Sequence, residues 1–229
     1  MISVVIPTLN AANGLPQTLA ALVPGVVAGL VREVIIVDGG STDATVAIAE
    51  ETGARVLTSA CGRGQQLQSG GAAATASWLL FLHADTCLAA GWEHEVAAFM
   101  QRVDSGQRAP SAAAFRFVLD DLGVLPRLTE AGVALRCNLL RLPYGDQALL
   151  IPRRLYDEIG GFKPMPLLED VDINRRLGRK RLVMLRSGAI TSAERYTRDG
   201  YVLRIARNLL CLTLYYCRVP VRHISRIYS

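Results

Sequence analysis

Short, continuous apolar runs separated by helix-like stretches dominate the first part of the chain. Residues 2–6 read Ile-Ser-Val-Val-Ile before Pro7, and residues 34–37 read Val-Ile-Ile-Val. A third strand is expected at 55–57, and residues 78–82 supply a fourth. Fully apolar strands that alternate with helices indicate βαβ units and a parallel sheet. We therefore predict an α/β fold, with a Rossmann-like, mostly parallel sheet flanked by helices in a single domain.

Helix ends are predicted from caps and breakers. The first helix carries Leu15, Leu19 and Leu22 on one face and ends near Pro24, and the second begins at Ser41 or Thr42. The remaining predictions are a strand at 113–119, a helix at 126–142, a strand at 148–151, a helix at 153–159 and a helix at 170–179. Residues 201–218 are expected to form an amphipathic helix that either rests on a membrane surface or packs onto the domain.

Charge divides the chain unevenly. Residues 1–110 carry 5 Lys and Arg against 9 Asp and Glu, whereas residues 111–229 carry 20 against 11. A basic half is typical of proteins that meet nucleic acid, an anionic membrane or a phosphorylated substrate. Nucleic acid is the weakest of these interpretations, because no zinc-finger spacing or RNA-binding motif is present and aromatic residues make up only 6%.

Cysteine usage and hydropathy predict a cytoplasmic protein. The five cysteines are odd in number and lack CxxC pairs, which is typical of free thiols in a reducing compartment. The first ten residues lack the positive region of a signal peptide. No apolar run reaches the ~20 residues needed to span a bilayer.

Acidic side chains follow two of the predicted strands. Asp38 ends the second strand and precedes two glycines, and Asp85 follows the fourth strand in the segment His83-Ala84-Asp85. Ligands of open α/β sheets bind beyond the carboxyl ends of strands, so Pro7, Asp38 and Asp85 are expected at one edge. Asp38 suits a base or ribose, and Asp85 suits Mg²⁺ or Mn²⁺. His83 is either a second metal ligand or a buried histidine, and Asp43 is best explained as a turn and capping residue.

Three further segments carry candidate chemistry. Glu169 and Asp170 begin a predicted helix, where acids either complement the helix dipole or supply a general base. Asp146 and Gln147 follow a glycine and are expected either to bind sugar hydroxyls or to form a turn. Arg63, between two glycines, is suited to reach a phosphate.

These motifs together resemble the family-two inverting glycosyltransferases of the GT-A fold. The resemblance rests on VVIPTLN, VDGGSTD, LLFLHADT and LLEDVDINRRL, in that order along nearly the whole chain. The GDQ segment, LPL-x-ED-V and a tail similar to SARR-x-x-R-x-G-V resemble a small bacterial subgroup associated with radical-SAM and selenoprotein-linked gene clusters.

The resemblance implies a role for each matched residue. It assigns nucleotide binding to residues 1–110 and acceptor binding to residues 111–200, and it leaves residues 201–229 as a helical tail. The donor-binding positions are Pro7, Thr8, Asn10, Asp38, Arg63 and Ala84. Asp85, with His83, matches the metal position, and Asp170 matches the general base. Glu169, Asp146 and Gln147 are expected at the acceptor or sugar.

The resemblance also implies a reaction and its partners. It is the inverting transfer of one sugar from a nucleoside-diphosphate sugar, with Mn²⁺ or Mg²⁺, to a hydroxyl or phosphate of a lipid, a polyprenyl phosphate or a glycan. The first acid of the usual DxD metal motif is His83 here. The alternatives are a non-catalytic nucleotide-sugar binding protein and a sugar nucleotidyltransferase. A peripheral position on the inner face of the membrane is a further expectation from the tail.

Overall fold

The fold is built on one sheet of eight strands. A computed structural model describes residues 1–228. The strands are β1 (Ile2–Thr8), β2 (Val31–Asp38), β3 (Arg55–Thr58), β4 (Trp78–Phe81), β5 (Thr86–Leu88), β6 (Ala112–Asp120), β7 (Leu149–Pro152) and β8 (Leu182–Ser192). They lie in the order β3-β2-β1-β4-β7-β6-β8-β5.

Ten helices accompany these strands within residues 1–228. They are α1 (Leu15–Val27), α2 (Thr45–Glu51), α3 (Arg63–Ala73), α4 (Trp92–Asp104), α5 (Val124–Leu140), α6 (Arg153–Glu158), α7 (Glu169–Leu177), α8 (Glu194–Asp199), α9 (Tyr201–Tyr216) and α10 (Val221–Tyr228). Two short 3₁₀ turns, Gly145–Gln147 and Arg179–Arg181, complete the regular structure.

The strands β1 to β4 confirm the predicted fold class. β1 pairs in parallel with β2 and β4, and β2 pairs in parallel with β3. β1 continues through Pro7 to Thr8, two residues beyond the predicted end. The missing N–H of Pro7 costs no hydrogen bond to β4, because β4 ends at Phe81, opposite Val5.

The second half of the sheet is mixed. β7 is antiparallel to both β4 and β6, β8 is parallel to β6, and β5 is antiparallel to β8. The sheet therefore contains four parallel and three antiparallel pairings, which is less parallel than the sequence pattern indicates. β5 and β8 are absent from the sequence-based prediction, because β5 has three residues and β8 lacks a continuous apolar run.

Both faces of the sheet are covered by apolar packing. Along β1, Ile2, Val4 and Ile6 belong to one buried cluster, and Val5 belongs to another on the opposite face. Successive strand side chains point to opposite faces, so a run without polar gaps requires burial on both sides. Because both faces are buried, the strands are held in place, and so are the strand ends after which the polar residues follow.

Several helix boundaries differ from the predicted ones. α1 continues past Pro24 to Val27. α2 begins at Thr45 rather than near Ser41, because the Ser41 hydroxyl donates to Asp38 instead of capping a helix. The Asp43 carboxylate accepts the Thr45 N–H at 3.0 Å, which agrees with its interpretation as a turn residue. The cap is elsewhere, because the N-cap position of α2 is Ala44 and no side chain caps the helix. α3 begins at Arg63, within the Gly-Arg-Gly segment, and is a helix that the sequence analysis does not predict.

The tail forms two helices that pack onto the start of α7 and the loop before it. Cys211 and Leu212 of α9 and Ile224 of α10 are buried with Leu168 and Val171. Among residues 1–228, none of the helices has the length and apolar character to cross a membrane.

Candidate active site

A wide cleft lies at the carboxyl ends of β1 and β4. Its volume is about 460 Å³, within the ~300–1,000 Å³ typical of small-molecule sites. The wide cleft is lined by the residues that follow β1, the start of α3, the segment 83–85 and residues 192–195. Pro7 and Asp85 therefore line one cavity, as the strand-end argument predicts, whereas Asp38 is not among its lining residues. The cavity is also lined by Thr8, Asn10, Arg63, His83 and Ala84.

Asp38 ends β2 and holds the turn beside this cleft. Its Oδ2 accepts the backbone N–H groups of Gly40 at 2.9 Å and Ser41 at 2.8 Å. Its Oδ1 accepts the hydroxyls of Ser41 at 2.5 Å and Thr8 at 3.1 Å. Burial opposes ionisation, but these hydrogen bonds outweigh it and lower the pKa of Asp38. The carboxylate is therefore ionised and fixed in one orientation at neutral pH.

Asn10 ties the loop after β1 to the loop after β2. Its side-chain oxygen accepts the Thr42 N–H at 2.9 Å, and its own N–H donates to the Ser41 hydroxyl at 2.8 Å. Its backbone has a φ of +50°, a left-handed conformation that Asn tolerates better than most residues. Asn10 therefore fixes the rim of the wide cleft as well as lining it.

A buried network supports the floor of the cleft. The side-chain amide of Gln66 in α3 donates to the carbonyls of Thr8 and Val37, both at 2.7 Å. The Thr18 hydroxyl donates to the Ala84 carbonyl at 2.9 Å. These bonds connect α1 and α3 to the strand ends, so the backbone at the cleft is held by both flanking helices. Gln66 is a positioning residue that sequence reasoning missed.

Arg63 begins α3 and forms an ion pair with Glu169 of α7. Glu169 is buried, whereas Arg63 also reaches the cleft. Burial raises the pKa of Glu169 even though Arg63 opposes the shift. Gly64 allows this approach, because a Cβ there would lie 2.6 Å from the carbonyl oxygens of Lys163 and Met165. Glu169 therefore orients Arg63, and its own carboxylate is not exposed to a sugar.

His83 and Asp85 are the residues suited to hold a divalent cation. Burial, with Arg63 nearby, lowers the pKa of His83 to about 4, so the imidazole is neutral at physiological pH and retains a lone pair. A carboxylate oxygen of Asp85 lies 3.9 Å from the Arg195 guanidinium. Within residues 1–228, no group of three or more His, Cys, Asp or Glu side chains has metal-binding geometry. The two residues fit a cation that takes its other oxygen ligands from a bound phosphate and water.

A narrow recess opens from the wide cleft on the side of α7. Five residues line both cavities, and they are Arg63, His83, Asp85, Ser192 and Arg195. The recess itself is about 90 Å³ and is lined further by Tyr144, Asp146, Asp170 and the inner side of α9. The arrangement offers one cavity for a large ligand and a second cavity for a reaction partner that meets it at Asp85.

Asp170 faces this recess from the first turn of α7. Its Oδ2 accepts the Gly145 N–H at 2.8 Å, and its Oδ1 accepts the Val171 N–H at 2.7 Å. Both bonds use backbone donors, so the backbone sets the orientation of the carboxylate. A glycine is required at position 145, because a Cβ there would lie 2.6 Å from the His83 ring. The turn that carries the Gly145 N–H can therefore lie against His83.

Asp146 and Gln147 occupy different environments although they are adjacent. Burial raises the pKa of Asp146 to about 6, and its Oδ1 has no hydrogen-bond partner. The side-chain amide of Gln147, only 1% exposed, donates to the Phe115 carbonyl at 3.0 Å and accepts the Cys137 thiol at 3.2 Å. The structure therefore brings Asp146 into the recess, whereas Gln147 fixes the Gly145–Gln147 turn from behind.

Sequence reasoning missed the residues that reach the site from the end of the chain. The Ser192 N–H donates to the Asp85 carbonyl at 3.1 Å, which places Arg195 over the junction of the two cavities. Arg204 of α9 and Tyr228 of α10 line the recess. Arg195 lies in the Ser-Ala-Glu-Arg segment that is part of the family resemblance, and this was the available signal. Arg204 and Tyr228 have no comparable signal.

The mixed sheet, the wide cleft at its strand ends and the adjoining recess are those of a GT-A glycosyltransferase. Glucosyl-3-phosphoglycerate synthase from Mycobacterium tuberculosis, solved with Mn²⁺, uridine diphosphate and glucosyl-3-phosphoglycerate, has this fold. It superposes with a TM-score of 0.66 at 24% identity, covering 96% of this chain and 81% of that one. S. aureus TarS (residues 1–349) superposes with a TM-score of 0.63 at 16% identity, covering 99% and 68%.

Residues 3–121 match the model of glycosyl transferase family 2, and the chain belongs to that family. The PGL/p-HBAD biosynthesis glycosyltransferases of Mycobacterium tuberculosis and Mycobacterium bovis are 35% identical to it over 195 residues, covering 77% of this chain and 69% of theirs. The protein is thus an enzyme that transfers a sugar from a nucleotide-sugar donor. This finding favours the transferase over the nucleotidyltransferase and the non-catalytic binding protein.

Proposed function

We propose that the protein transfers a single sugar from a nucleoside-diphosphate sugar with inversion, using Asp170 as the general base. The observation that carries the proposal is the junction of the two cavities at Asp85. A donor in the wide cleft and an acceptor in the narrow recess meet there, and Asp170 faces that point from the acceptor side. Removal of the acceptor proton by Asp170 allows attack at the anomeric carbon from the side opposite the leaving diphosphate.

The wide cleft is assigned to the donor. Pro7, Thr8, Asn10 and Ala84 form the walls along the nucleotide. Asp38 is assigned to the base and ribose through the Gly40–Ser41 turn that it holds beside the cleft, rather than by lining the cleft itself. Arg63, held by Glu169, contributes positive charge toward the diphosphate. The ion pair aims the guanidinium and limits its movement, so the donor meets a prepared site.

A divalent cation, Mn²⁺ or Mg²⁺, is part of the proposal. The solved synthase complexes contain Mn²⁺ with uridine diphosphate or UDP-glucose, which supports a similar requirement here. Asp85 and neutral His83 would hold the cation, which would neutralise charge on the leaving diphosphate. Arg195, beside Asp85, adds a fixed cation to the same region.

The acceptor is assigned to the narrow recess, where Asp146 has an unpaired carboxylate oxygen. A hydroxyl or phosphate of a lipid, a polyprenyl phosphate or a glycan fits this proposal. We place the chain in the radical-SAM and selenoprotein-linked subgroup on the GDQ and LPL-x-ED-V motifs. Peripheral association with a membrane belongs to the same proposal, supported by the basic tail.

Replacement of Asp170 by Asn tests the general base. The backbone donors of Gly145 and Val171 can still meet the amide oxygen, so the fold and donor affinity should be retained. Turnover should fall by about 10²–10⁴-fold, measured as initial rate of sugar transfer at saturating donor. Asp172→Asn, in the same first turn of α7 but outside both cavities, serves as the matched control. Near-normal turnover in Asp170→Asn would reject the assignment.

Nucleotide binding with and without metal tests the donor site. Thermal unfolding is measured with UDP, GDP, dTDP and CDP, each with Mn²⁺, Mg²⁺ or chelator. A cognate nucleotide at a hundred times its dissociation constant stabilises the folded state by about 2.7 kcal/mol. The shift should require metal in the wild type and be largely lost in Asp85→Asn, because that variant lacks the carboxylate assigned to the metal. No shift with any nucleotide would contradict the placement of the donor in the wide cleft.

A further inference from the structure

The outward faces of α5 and α9 carry most of the exposed large hydrophobic side chains of the described chain. Residues 1–228 contain nineteen large hydrophobic side chains that are exposed, and thirteen of them lie on α9, on α5 or just before α5. Leu128 and Leu209 are 63% and 62% exposed, and Val202 is 75% exposed. Apolar surface concentrated in this way marks an interaction site rather than scattered exposure.

The helix α9 is amphipathic, but its apolar side faces outward and its polar side faces the protein. Its polar side chains point inward: Arg204 is buried against Asp199 and Tyr228, and Asn208 lines the narrow recess. Its exposed positions are mostly apolar and include no charged side chain; they are Val202, Leu203, Ile205, Ala206, Leu209, Leu210, Thr213 and Tyr216. A helix that faces water would show the opposite arrangement, so another medium must cover the outer face.

The helix α5 continues this surface. It contacts α9 directly, and the Tyr201 hydroxyl at the start of α9 donates to the Asp121 carboxylate at 2.5 Å. The inner side of α5 is fixed on β6 through Val133. Leu125, Leu128, Leu135 and Leu139 remain exposed on its outer side. We call the outer faces of α5 and α9 the apolar face.

Positive charge is concentrated in the segment that contains α9 and α10. Residues 201–228 contain five arginines and no Asp or Glu. Of these, Arg218, Arg222 and Arg226 are exposed, around the turn into α10 and along it. Self-association through this face would bring the same arginine-bearing segments of two copies together, because a two-fold interface pairs identical patches. Anionic lipid headgroups complement both the apolar side chains and the arginines.

We infer that the apolar face of α5 and α9 docks the enzyme onto an anionic phospholipid bilayer. The inference deepens the proposed peripheral association by naming the surface and the lipid charge. The inner side of α9 lines the narrow recess, so docking brings the recess within one helix diameter, ~10 Å, of the headgroups. An acceptor in the bilayer then reaches Asp170 without leaving the membrane surface.

Vesicle co-sedimentation of the full chain tests this inference. Wild type should bind vesicles of phosphatidylcholine mixed with phosphatidylglycerol and bind pure phosphatidylcholine more weakly, with the difference reduced by salt. Leu128→Glu/Leu209→Glu should lose about tenfold or more in partitioning. The matched control is Val27→Glu, because Val27 is 83% exposed at the end of α1, away from the apolar face. The control should partition like the wild type.

Further variants separate the electrostatic contribution to vesicle binding from the apolar one, and circular dichroism checks that the variants are folded. Arg222→Gln/Arg226→Gln should weaken binding to the mixed vesicles by about tenfold and leave binding to pure phosphatidylcholine unchanged. Circular dichroism should show that every variant is folded, because all the replaced side chains are exposed.

Three outcomes would overturn the inference. Equal vesicle binding by wild type and Leu128→Glu/Leu209→Glu would keep the association but reject the apolar face. No binding by wild type would reject both. A dimer in light scattering that only the double variant breaks, without vesicle binding, would assign the face to a second copy. The assay measures partitioning, so none of these outcomes bears on the sugar-transfer proposal.

Discussion

Asp146 is a carboxyl group whose ionisation is opposed by its surroundings. It lies in the narrow recess near Asp170, its Oδ1 has no partner, and burial raises its pKa from 3.8 to about 6. The charged form that predominates at neutral pH is therefore held at a cost to stability. Such a cost is expected where a group is kept for binding rather than for folding.

Replacing Asp146 by Asn should stabilise the protein while impairing acceptor use. At pH 7.5 the free energy of unfolding should rise by about 1–3 kcal/mol, because the amide carries no buried charge. An acid whose folded pKa exceeds its unfolded pKa binds its proton more tightly in the folded state. Its contribution to stability therefore falls as pH rises from 3.8 to about 6. The difference between variant and wild type should accordingly shrink toward pH 4.

Urea unfolding at several pH values measures this effect. The exposed Asp157 on α6 offers a control, and Asp157→Asn should change stability by no more than about 0.5 kcal/mol at any pH. A variant at position 146 that is less stable than wild type at pH 7.5 would contradict the interpretation. The acceptor KM of Asp146→Asn should rise, whereas the donor KM should not.

The helix α3 shows how packing between elements positions the site. Gly70 lets α3 approach the sheet, because a Cβ there would lie 2.3 Å from a Val5 methyl group and 2.8 Å from a Val37 methyl group. The same helix carries Arg63 and Gln66 to the wide cleft. A glycine that weakens the isolated helix is therefore retained because it permits close helix–sheet contact.

Gly70→Ala and Gly132→Ala should have opposite effects. In Gly70→Ala, the added methyl group meets the sheet and should reduce the free energy of unfolding by about 1–3 kcal/mol. Gly132 lies in the interior of α5 with nothing within 4 Å of an added Cβ, so Ala there should increase it by about 0.5–1 kcal/mol. Thermal or urea unfolding of both variants measures the contrast. Equal effects would show that helix propensity, not packing, governs position 70.

Across the whole molecule, the Arg63–Glu169 pair connects the two halves of the chain. Arg63 belongs to the half that forms the parallel strands, and Glu169 begins α7, 106 residues later. One carboxylate oxygen of Glu169 is buried without a partner, so the ion pair is its principal compensation. Removal of one partner from a buried pair is more costly than replacement of both.

A double-mutant cycle tests this connection. Arg63→Met should destabilise the protein by about 3–5 kcal/mol, because it leaves Glu169 buried and unpaired. Arg63→Met/Glu169→Leu should recover at least half of that loss while remaining poor in sugar transfer, because the cation at the cleft is gone. Unfolding free energies and transfer rates are measured on the same preparations. Additive losses in stability would show that the two side chains do not depend on each other.

The sequence by itself determined the parallel half and its chemistry. Continuous apolar runs require burial on both faces, and this property located β1, β2 and β4 within a few residues. The carboxyl ends of parallel strands share one edge, so the meeting of Pro7, Thr8 and Asp85 at one cleft followed from topology. The motifs also carried the family, which the match over residues 3–121 confirms.

Only the tertiary structure decided the other half of the site. β8 pairs with β6 and β5 across long stretches of chain, and this pairing brings Arg195 beside Asp85. The same long-range packing turns Gln147 away from the recess and decides the orientation of α9, whose Arg204 and Asn208 face inward. The local pattern of apolar and polar residues indicates the secondary structure and the average polarity of a segment. It does not report which distant segment covers a given face, because that depends on contacts between residues far apart in sequence.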